Sequence, residues 1–214
     1  MASGRKTATP SRAERYRDLV EPIDDQIAEL LARRRAICRE LEQADPAAAP
    51  AGAGVLARTS ARIDHVAIAV RDLEAAIDTY RTTLGFELVE RRRVEGSGSG
   101  MLLAEMRAGA ITFVLVQGDS PESNVTRYIE HYGPGVQHVA LEVDDVSAVL
   151  DELGERGCRL LTGVIQGPGL QQAFTAREPN SGVQLEFIGR GGEQGFAQGN
   201  IEELFRAMER EDAY

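Results

Sequence analysis

Two histidines and one glutamate are the residues of this chain whose types and positions best fit metal chemistry. His65 and His138 each open one copy of a repeated fourteen-residue segment in which seven positions are identical, and the chain has only three histidines. Glu186 lies among strand-forming apolar residues, where a carboxylate needs a partner. Two imidazoles and one carboxylate with open coordination positions form the facial arrangement that suits non-haem Fe(II). We therefore predict a metal site at the junction of the two copies.

The position equivalent to Glu186 in the first copy is apolar. Counting from the preceding turn places Val114 there, so the predicted site has three ligands and one apolar corner. With neutral imidazoles, these ligands leave Fe(II) with a single positive charge, which attracts an anionic chelating substrate. The third histidine, His131, lies outside the repeat register, and we interpret it as a surface residue.

Each copy of the repeat predicts the same order of elements, βαβββ. A strand beginning at the histidine leads through an aspartate into a helix, for which Gly85 and Gly154 are the expected ends. The predicted strands after the helices are 86–92, 101–106, 111–117, 159–162, 172–176 and 183–188. Two such units predict an α+β domain in which paired βαβββ modules form an incomplete barrel around a shared cavity.

The segments outside the repeats give the domain organisation. Residues 11–44 carry apolar side chains at three- and four-residue spacings, which predicts one amphipathic helix. Residues 45–61 open with an alanine-, proline- and glycine-rich tract and are interpreted as a linker. The barrel domain is then 62–214, with a C-terminal helix within its last residues.

Charge and hydropathy exclude several classes of partner. The net charge is -10, so no basic stripe is available for nucleic-acid phosphates or an anionic membrane surface. No apolar run approaches the roughly 20 residues that a spanning helix needs, and the first residues are polar and basic. We predict a cytoplasmic protein with small-molecule partners.

The doubled βαβββ pattern with these ligand positions resembles the vicinal oxygen chelate superfamily. Within it, three stretches are similar to the C-terminal catalytic half of the group that comprises 4-hydroxyphenylpyruvate dioxygenase and 4-hydroxymandelate synthase. The stretches are 123–141, 170–175 and 193–205. The last is the most specific, because its Gln-Gly-Phe and Gly-Asn spacing ahead of a terminal helix is peculiar to that group.

The resemblance implies a role for several residues. It implies that Fe(II) is held by His65, His138 and Glu186, in agreement with the repeat register. Phe174 and Phe196 match the two phenylalanines that sandwich the substrate ring, where stacking and burial of area would hold a flat ring.

Polar positions of the family are matched only in part. Gln172 and Gln137 match glutamines that order the substrate or the site, and Gln117 falls where the family has an asparagine. Thr126 stands where a glutamine is usual, and Leu102 lies about where a serine is expected. These departures predict a ring substituent other than a para-hydroxyl.

The N-terminal helix has a separate resemblance. Residues 16–35 resemble the first helix of all-helical chorismate mutases, with Arg17 and Arg34 at substrate-contacting positions. A mutase site needs further helices to enclose its dianion, so we predict that the segment serves docking or pairing into a homodimer. A residual or borrowed mutase activity is the alternative.

The resemblance implies an Fe(II) dioxygenase whose partners are an aryl 2-oxo acid and dioxygen, acting by oxidative decarboxylation and hydroxylation. One alternative is a non-redox divalent-metal epimerase, isomerase or lyase of the same superfamily. Such members typically have a fourth protein ligand, and the apolar Val114 at that position disfavours this alternative. Another is a small-molecule-binding resistance protein, a class that commonly lacks the three ligands.

Overall fold

A computed structural model describes residues 12–44, 54–96, 99–167 and 169–191. The chain divides into two compact units, residues 1–51 and residues 52–214. None of the helices in the described part is long and apolar enough to cross a membrane.

The described part of the first unit is one long helix, α1, which spans Arg12–Ala44 and contains Pro22. This agrees with the helix predicted from the apolar spacing. Six large apolar side chains along it are between 45% and 70% exposed: Leu19, Ile23, Ile27, Leu30, Ile37 and Leu41. Such a stripe is unfavourable in water and marks a surface that another apolar surface could cover.

The second unit is built on one mixed sheet of eight strands. Its elements are α2 (Val55–Thr59), β1 (Ser60–Ala69), α3 (Leu73–Thr82), β2 (Glu87–Glu95), β3 (Gly100–Ala108), β4 (Ile111–Gly118), α4 (Asn124–Tyr132), β5 (Gly135–Val143), α5 (Val146–Glu155), β6 (Ile165–Gly167), β7 (Leu170–Phe174) and β8 (Gln184–Arg190). The strand order is β2-β3-β4-β1-β5-β8-β7-β6. The predicted pairing of two βαβββ modules in an incomplete barrel is confirmed.

The two modules join where β1 pairs antiparallel with β5, and the pairing relates them by an approximate two-fold axis. Val66 pairs with Val139, which is its equivalent in the repeat, so the axis passes between them. On either side of this pair the outer strands repeat the same pattern, because β4 runs parallel to β1 and β8 runs parallel to β5. The first residues of the two repeats therefore lie close together at the centre of the sheet.

Strand alternation gives the sheet a helix-covered face and a concave face. On the covered face, Leu73 and Ile77 of α3 pack on Leu115 in the first module. In the second module, Val149 of α5 belongs to the same core cluster as Phe187. The residues next to Leu115 and Phe187 along their strands therefore point the other way, into the concave face.

Helix α4, which the repeat pattern does not predict, lies against the concave face of the first module. Its Val125, Tyr128 and Ile129 are buried in one cluster with strand residues of that face. The strand members of the cluster are Ala69, Val94, Met101, Leu103, Val114 and Val116. The concave face of the first module is thus largely filled by apolar side chains.

Two predicted boundaries differ from the structure. Within the predicted linker, α2 forms a helical turn, and Arg58 on it donates two hydrogen bonds to the Glu152 carboxylate on α5. Gly154 does not end its helix, because α5 continues to Glu155 and the left-handed residue that follows is Gly157, with φ 80°. Gly85, with φ 76°, lies beyond the end of α3, as predicted.

The predicted strand 159–162 is wrong. Only Leu160 makes an isolated bridge, to Thr175, while the short strand β6 forms later, at Ile165–Gly167. The amides of Leu161 and Thr162 both donate to the single carbonyl oxygen of Phe174, so the chain bends here and cannot continue a ladder. The predicted C-terminal helix lies outside the described residues.

Candidate metal centre

The three predicted ligands come together at the centre of the concave face. His65 lies on β1, His138 on β5 and Glu186 on β8. The Nε2 atoms of the two histidines are 3.3 Å apart, and Glu186 Oε2 lies 3.3 Å from His65 Nε2 and 3.1 Å from His138 Nε2. Neighbouring ligands at about 2.1 Å from one metal ion are about 3 Å apart, so this triangle has the size of a metal site.

Strand register explains why these residues meet. Ala140 on β5 pairs with His65 on one side and with Glu186 on the other. By the two-fold relation, Ala67 pairs with His138 and with Val114. Val114 is therefore the structural equivalent of Glu186, as the sequence predicts, and the fourth corner is apolar.

Two small side chains lie between the ligands. Ala67 and Ala140 are 1% and 0% exposed. Ala140 lies between His65 and Glu186 in the sheet, and Ala67 between His138 and Val114, so the positions next to the ligands on these strands carry only methyl groups.

The donor set fits a divalent metal ion. His65 and Glu186 are 3% and 1% exposed, and the buried Glu186 Oε1 has no hydrogen-bond partner among the described residues. A buried carboxylate oxygen without a partner is costly, and a cation is the partner that a carboxylate between two imidazole nitrogens would take. Among the described residues, these three form a group whose ligand atoms all lie within 4.8 Å of one another.

The surroundings of the two imidazoles fix their tautomers. His65 Nδ1 donates to Asp64 Oδ1 at 2.9 Å, and His138 Nδ1 donates to Gln137 Oε1. In each neutral ring the lone pair is therefore on Nε2, the atom that faces Glu186. Gln137, predicted to order the substrate or the site, contacts the ring of His138 in this structure.

The charges within the centre perturb one another. Burial by itself would lower the pKa of His65, but Glu186 and Asp64 beside it raise that pKa to about 9. Burial would raise the pKa of Glu186, whereas His65 and His138 lower it to about 2. Burial lowers the pKa of His138. At neutral pH without metal, the centre thus holds a protonated His65 beside an ionised Glu186.

Two further predicted residues lie beside the ligands. Phe174 on β7 is fully buried and meets His138 edge to face, with ring centroids 5.2 Å apart. Gln172, two residues along the same strand, is 2% exposed, and its buried Nε2 has no hydrogen-bond partner in the described part of the chain. His138, with 12% of its side chain exposed, is the most open of the three ligands. Phe196 lies outside the described residues.

Three predicted or expected positions do not face the centre. Gln117 Oε1 accepts a hydrogen bond from the Leu73 amide at the start of α3, on the helix-covered face. The hydroxyl of Thr126 donates to the Ser120 carbonyl oxygen at 2.7 Å. Leu102 packs with the core beneath α3. Successive residues of a strand point to opposite faces of the sheet. The side chains of β3 on the face of the centre are therefore the odd-numbered ones, and Leu102 points to the other face.

Sequence reasoning did not single out the inward residues of β3. Met101 and Leu103 belong to the apolar cluster beneath α4. Glu105 pairs with Val114, as Phe174 pairs with Glu186 in the second module, and is 2% exposed. Its carboxylate accepts a hydrogen bond from Arg107 at 2.6 Å. The repeat offers no signal for Glu105, because its equivalent is an aromatic residue.

Sequence comparison places the chain in a family. It matches the profile of the Glyoxalase/Bleomycin resistance protein/Dioxygenase superfamily over residues 62–187, which is more than half of its length. The chain belongs to this superfamily, whose vicinal oxygen chelate fold is the one described above.

Relatives of two kinds are similar to it. The ethylmalonyl-CoA/methylmalonyl-CoA epimerase of Cereibacter sphaeroides is 35% identical over 101 residues, which cover 47% of this chain and 74% of the epimerase. The 4-hydroxyphenylpyruvate dioxygenase of Pseudomonas aeruginosa is 25% identical over 186 residues, covering 70% of this chain and 52% of the dioxygenase.

A solved structure supports the second kind. A triple mutant of 4-hydroxymandelate synthase from Streptomyces coelicolor matches with a TM-score of 0.64 at 27% identity, over 76% of this chain and 57% of the synthase. This chain thus spans little more than half the length of the dioxygenase and synthase relatives.

Removing any one ligand should abolish stoichiometric metal binding. We expect His65→Ala, His138→Ala and Glu186→Ala to lose bound Fe(II) or Co(II) in metal analysis after anaerobic loading, with far-UV circular dichroism unchanged. His131→Ala, which changes an exposed histidine, is the control and should bind about one metal ion per chain. Full occupancy in Glu186→Ala would remove Glu186 from the site.

Metal binding should depend on pH because the cation must replace a proton on His65. With a pKa of about 9 for that imidazole, affinity should rise about tenfold per pH unit between pH 7 and pH 9 and then level off, with about one proton released per metal at pH 7. Titration calorimetry in buffers of different ionisation enthalpy measures the release. In metal-free protein, the same raised pKa stabilises the fold below pH 6.5 and that stabilisation is lost as the pH rises through 9.

The pKa of His65 should fall in a metal-free variant that lacks the neighbouring charge. Glu186→Gln removes the largest influence that raises this pKa, while Asp64 still raises it in part. Titration of the His65 ring by nuclear magnetic resonance in the metal-free proteins measures the difference, and the same pKa in Glu186→Gln and the unmodified protein would contradict the assignment to this pair.

Proposed function

We propose that the protein is a non-haem Fe(II)-dependent dioxygenase that acts on an aryl 2-oxo acid. The observation that carries the proposal is the three-ligand centre with an apolar fourth corner at Val114. Three facial ligands leave coordination positions for a bidentate oxo acid and for dioxygen together. Fe(II) held by His65, His138 and Glu186 would supply the redox chemistry of oxidative decarboxylation and hydroxylation.

The charge of the centre favours an anionic substrate. Glu186 is ionised, whereas the other two buried carboxylates of the described residues are paired with arginines, Asp64 with Arg190 at 2.7 Å and Glu105 with Arg107 at 2.6 Å. A divalent cation in this site would therefore keep a net charge of about +1. The carboxylate of a 2-oxo acid compensates that charge, whereas a neutral diketone or alcohol does not.

Phe174 and Gln172 support the assignment of the substrate side. The Phe174 ring stands against His138, and aromatic rings prefer edge-to-face or offset packing with a second ring. The buried Nε2 of Gln172 has no acceptor within residues 54–96, 99–167 and 169–191, and an oxygen of the substrate would satisfy this donor. One aromatic surface and one donor suit an aryl group with an acceptor attached.

The apolar side chains on the concave face of the first module favour an aryl group that makes few hydrogen bonds with them. Met101, Leu103, Val114 and Val116 are apolar and buried in one cluster. Gln117 and Thr126, which could have supplied polar contacts, are engaged by backbone groups. We infer that the ring substituent is not recognised as a para-hydroxyl on this side.

A metal-dependent epimerase is the second candidate. The higher identity to the Cereibacter sphaeroides epimerase favours it. Glu105 supplies a further observation, since a buried carboxylate beside Val114 on the concave face is the type of group that could move a proton at a carbon next to a carbonyl. The apolar corner and the longer match to the dioxygenase favour the first candidate.

One experiment separates the two candidates. Protein loaded anaerobically with Fe(II) is mixed with phenylpyruvate, 4-hydroxyphenylpyruvate or methylmalonyl-CoA, and both oxygen uptake and exchange of the substrate α-hydrogen with D2O are followed. The dioxygenase consumes oxygen and releases CO2 in equal amounts with an aryl 2-oxo acid, and Zn(II) does not replace Fe(II). Exchange on methylmalonyl-CoA without oxygen uptake, supported by a redox-inactive metal, would establish the epimerase instead.

We further propose that α1 pairs two copies of the chain as an antiparallel homodimer. The six exposed apolar residues of α1 follow three- and four-residue steps with one interruption, at Arg34. Two segments of the helix carry charge of one sign: residues 18–29 have five acidic residues and no basic one, and residues 33–39 have four arginines and no acidic one. Antiparallel pairing places the acidic segment of each copy beside the arginine segment of its partner and buries the apolar stripe with the same surface on both copies.

Replacing Phe174 should weaken the substrate without affecting the metal. Phe174→Ala removes the ring beside His138, and we expect KM for the active aryl 2-oxo acid to rise by a factor of about 5 to 150, equivalent to about 1 to 3 kcal/mol. Metal content should stay at about one ion per chain. Phe113→Ala, which removes a ring from the opposite face of the sheet, is the control for general destabilisation. Unchanged kinetics in Phe174→Ala would assign the ring to core packing alone.

Deleting residues 1–51 should convert the dimer to a monomer and leave the metal centre intact. Light scattering of the full chain and of the truncated chain measures the mass, and metal analysis measures the centre. Ile27→Asp and Leu30→Asp within the full chain should have the same effect on mass, because they place charge in the apolar stripe. A truncated protein with the oligomeric mass of the full chain would show that α1 does not pair the copies, and loss of a mutase activity with the deletion would revive the chorismate-mutase alternative.

A further inference from the structure

The two histidine ligands occupy equivalent positions in the repeat, yet the residues that hold them differ in charge. Asp64 precedes His65 and accepts the hydrogen bond of its Nδ1, whereas Gln137 precedes His138 and does the same for that ring. One acceptor is a carboxylate and the other is a neutral amide. The difference lies in the outer shell of the site, because neither Asp64 nor Gln137 reaches the position of the metal.

Two β-bulges make these contacts possible. Successive residues of a strand point to opposite faces, so a side chain does not normally reach the ring of the next residue. Along the pairing of β1 with β5, Ile63 pairs with Leu141 and His65 with Ala140, which leaves Asp64 as the extra residue. Likewise His138 pairs with Ala67 and Val136 with Ile68, which leaves Gln137 unpaired. Each bulge turns the extra residue toward its own histidine.

Arg190 holds Asp64 in place. Its Nε donates to Asp64 Oδ2 at 2.7 Å and its Nη2 donates to Asp64 Oδ1 at 2.8 Å, an arrangement that fixes both carboxylate oxygens. Asp64 is 6% exposed, and 12% of the Arg190 side chain is exposed. The Asp64 carboxylate is therefore one half of a buried ion pair that Arg190 holds at two points.

The amide that holds His138 belongs to a neutral chain of hydrogen bonds. Gln137 Nε2 donates to Gln184 Oε1 at 3.1 Å, and Gln184 Nε2 donates to the Thr175 carbonyl oxygen at 2.9 Å. Both glutamines are buried. The backbone carbonyl of Gln137 in turn accepts a hydrogen bond from the positively charged Arg177 at 3.2 Å. No described group in this chain of contacts adds negative charge to the ring.

We propose that Asp64 and Arg190 are positioning residues that make His65 the stronger metal ligand and leave His138 the weaker one, on the side where the substrate binds. A carboxylate that accepts the Nδ1 proton raises the basicity of Nε2, and an amide does so less. His138 is also the most exposed ligand and the one beside Phe174. The inference rests on the proposed metal site, but it does not depend on which reaction that site catalyses.

The test replaces the carboxylate that contacts His65 with an amide, the type of group that contacts His138. Asp64→Asn keeps the shape of the side chain and replaces the carboxylate with an amide. We expect it to weaken Co(II) binding by about 10- to 100-fold, as measured by competition with a chelator. Gln137→Met removes the other hydrogen bond at similar volume and should weaken binding less than Asp64→Asn does. Asp78→Asn, an exposed change on α3, should have no effect.

A spectroscopic measurement distinguishes positioning from a general structural role. The Co(II) protein should show two shifted, solvent-exchangeable proton resonances, one from each Nδ1–H group. Asp64→Asn should move chiefly the resonance of His65. Gln137→Met should make the His138 proton exchange faster with water, because it removes the acceptor of that proton. Arg190→Lys retains the charge but loses the two-point contact, and is expected to fall between the unmodified protein and Asp64→Asn in Co(II) affinity. This variant serves if Asp64→Asn proves unstable by thermal denaturation.

The proposal is overturned if Asp64→Asn binds Co(II) as tightly as the unmodified protein, or if Gln137→Met loses more affinity than Asp64→Asn. Because the assay uses a redox-inactive metal and no substrate, failure of the dioxygenase proposal leaves it unaffected. Loss of Co(II) binding in Asp64→Asn together with absence of oxygen uptake by the unmodified protein would support the inequality of the ligands while rejecting the proposed reaction.

Discussion

The antiparallel pairing of β1 with β5 is the contact on which the rest of the structure depends. It brings the two repeats together about an axis at Val66 and Val139, and this places His65 and His138 across from each other's alanines. The same register decides which residues of β4 and β8 flank the histidines, namely Val114 and Glu186. A slip of one residue would turn the ligands away from the concave face and bring the core side chains into it. Folding and site assembly are therefore one event.

Duplication supplies the symmetry of the centre, and substitution within the repeats has removed part of it. Glu186 is matched by Val114, Phe174 by Glu105 and Gln137 by Asp64. The helix α4 fills the concave face of the first module with apolar side chains. The second module keeps its carboxylate ligand, its aromatic ring and a buried amide donor. Each half thus contributes a histidine, but the chemistry proposed for the substrate lies with one half.

Sequence could predict that His65, His138 and Glu186 meet because the repeat register and the strand count from the preceding turn place them at equivalent corners of one site. The positions of His65 and His138 follow from a visible duplication, and Val114 follows from counting. It was harder to predict which face of the sheet a side chain points to where that depends on a one-residue difference in position along a strand or on a β-bulge. Gln117 and Leu102 each lie one residue from a position that faces the centre, and Asp64 contacts His65 only because the strand bulges there. Helix α4 has no counterpart in the repeat pattern. A helix can accommodate a glycine, so α5 continues past Gly154, and the chain reverses three residues later, at Gly157.

The two alanines between the ligands have a consequence for how the centre can change. Ala140 is paired with His65 on one side and Glu186 on the other, and Ala67 with His138 and Val114, and both alanines are buried within strands that cannot move apart without breaking the central ladder. A larger side chain at either position would press on the residues paired with it. The spacing of the three ligand side chains is thus constrained by backbone pairing and by two methyl groups, and not only by the chemistry of the ligands.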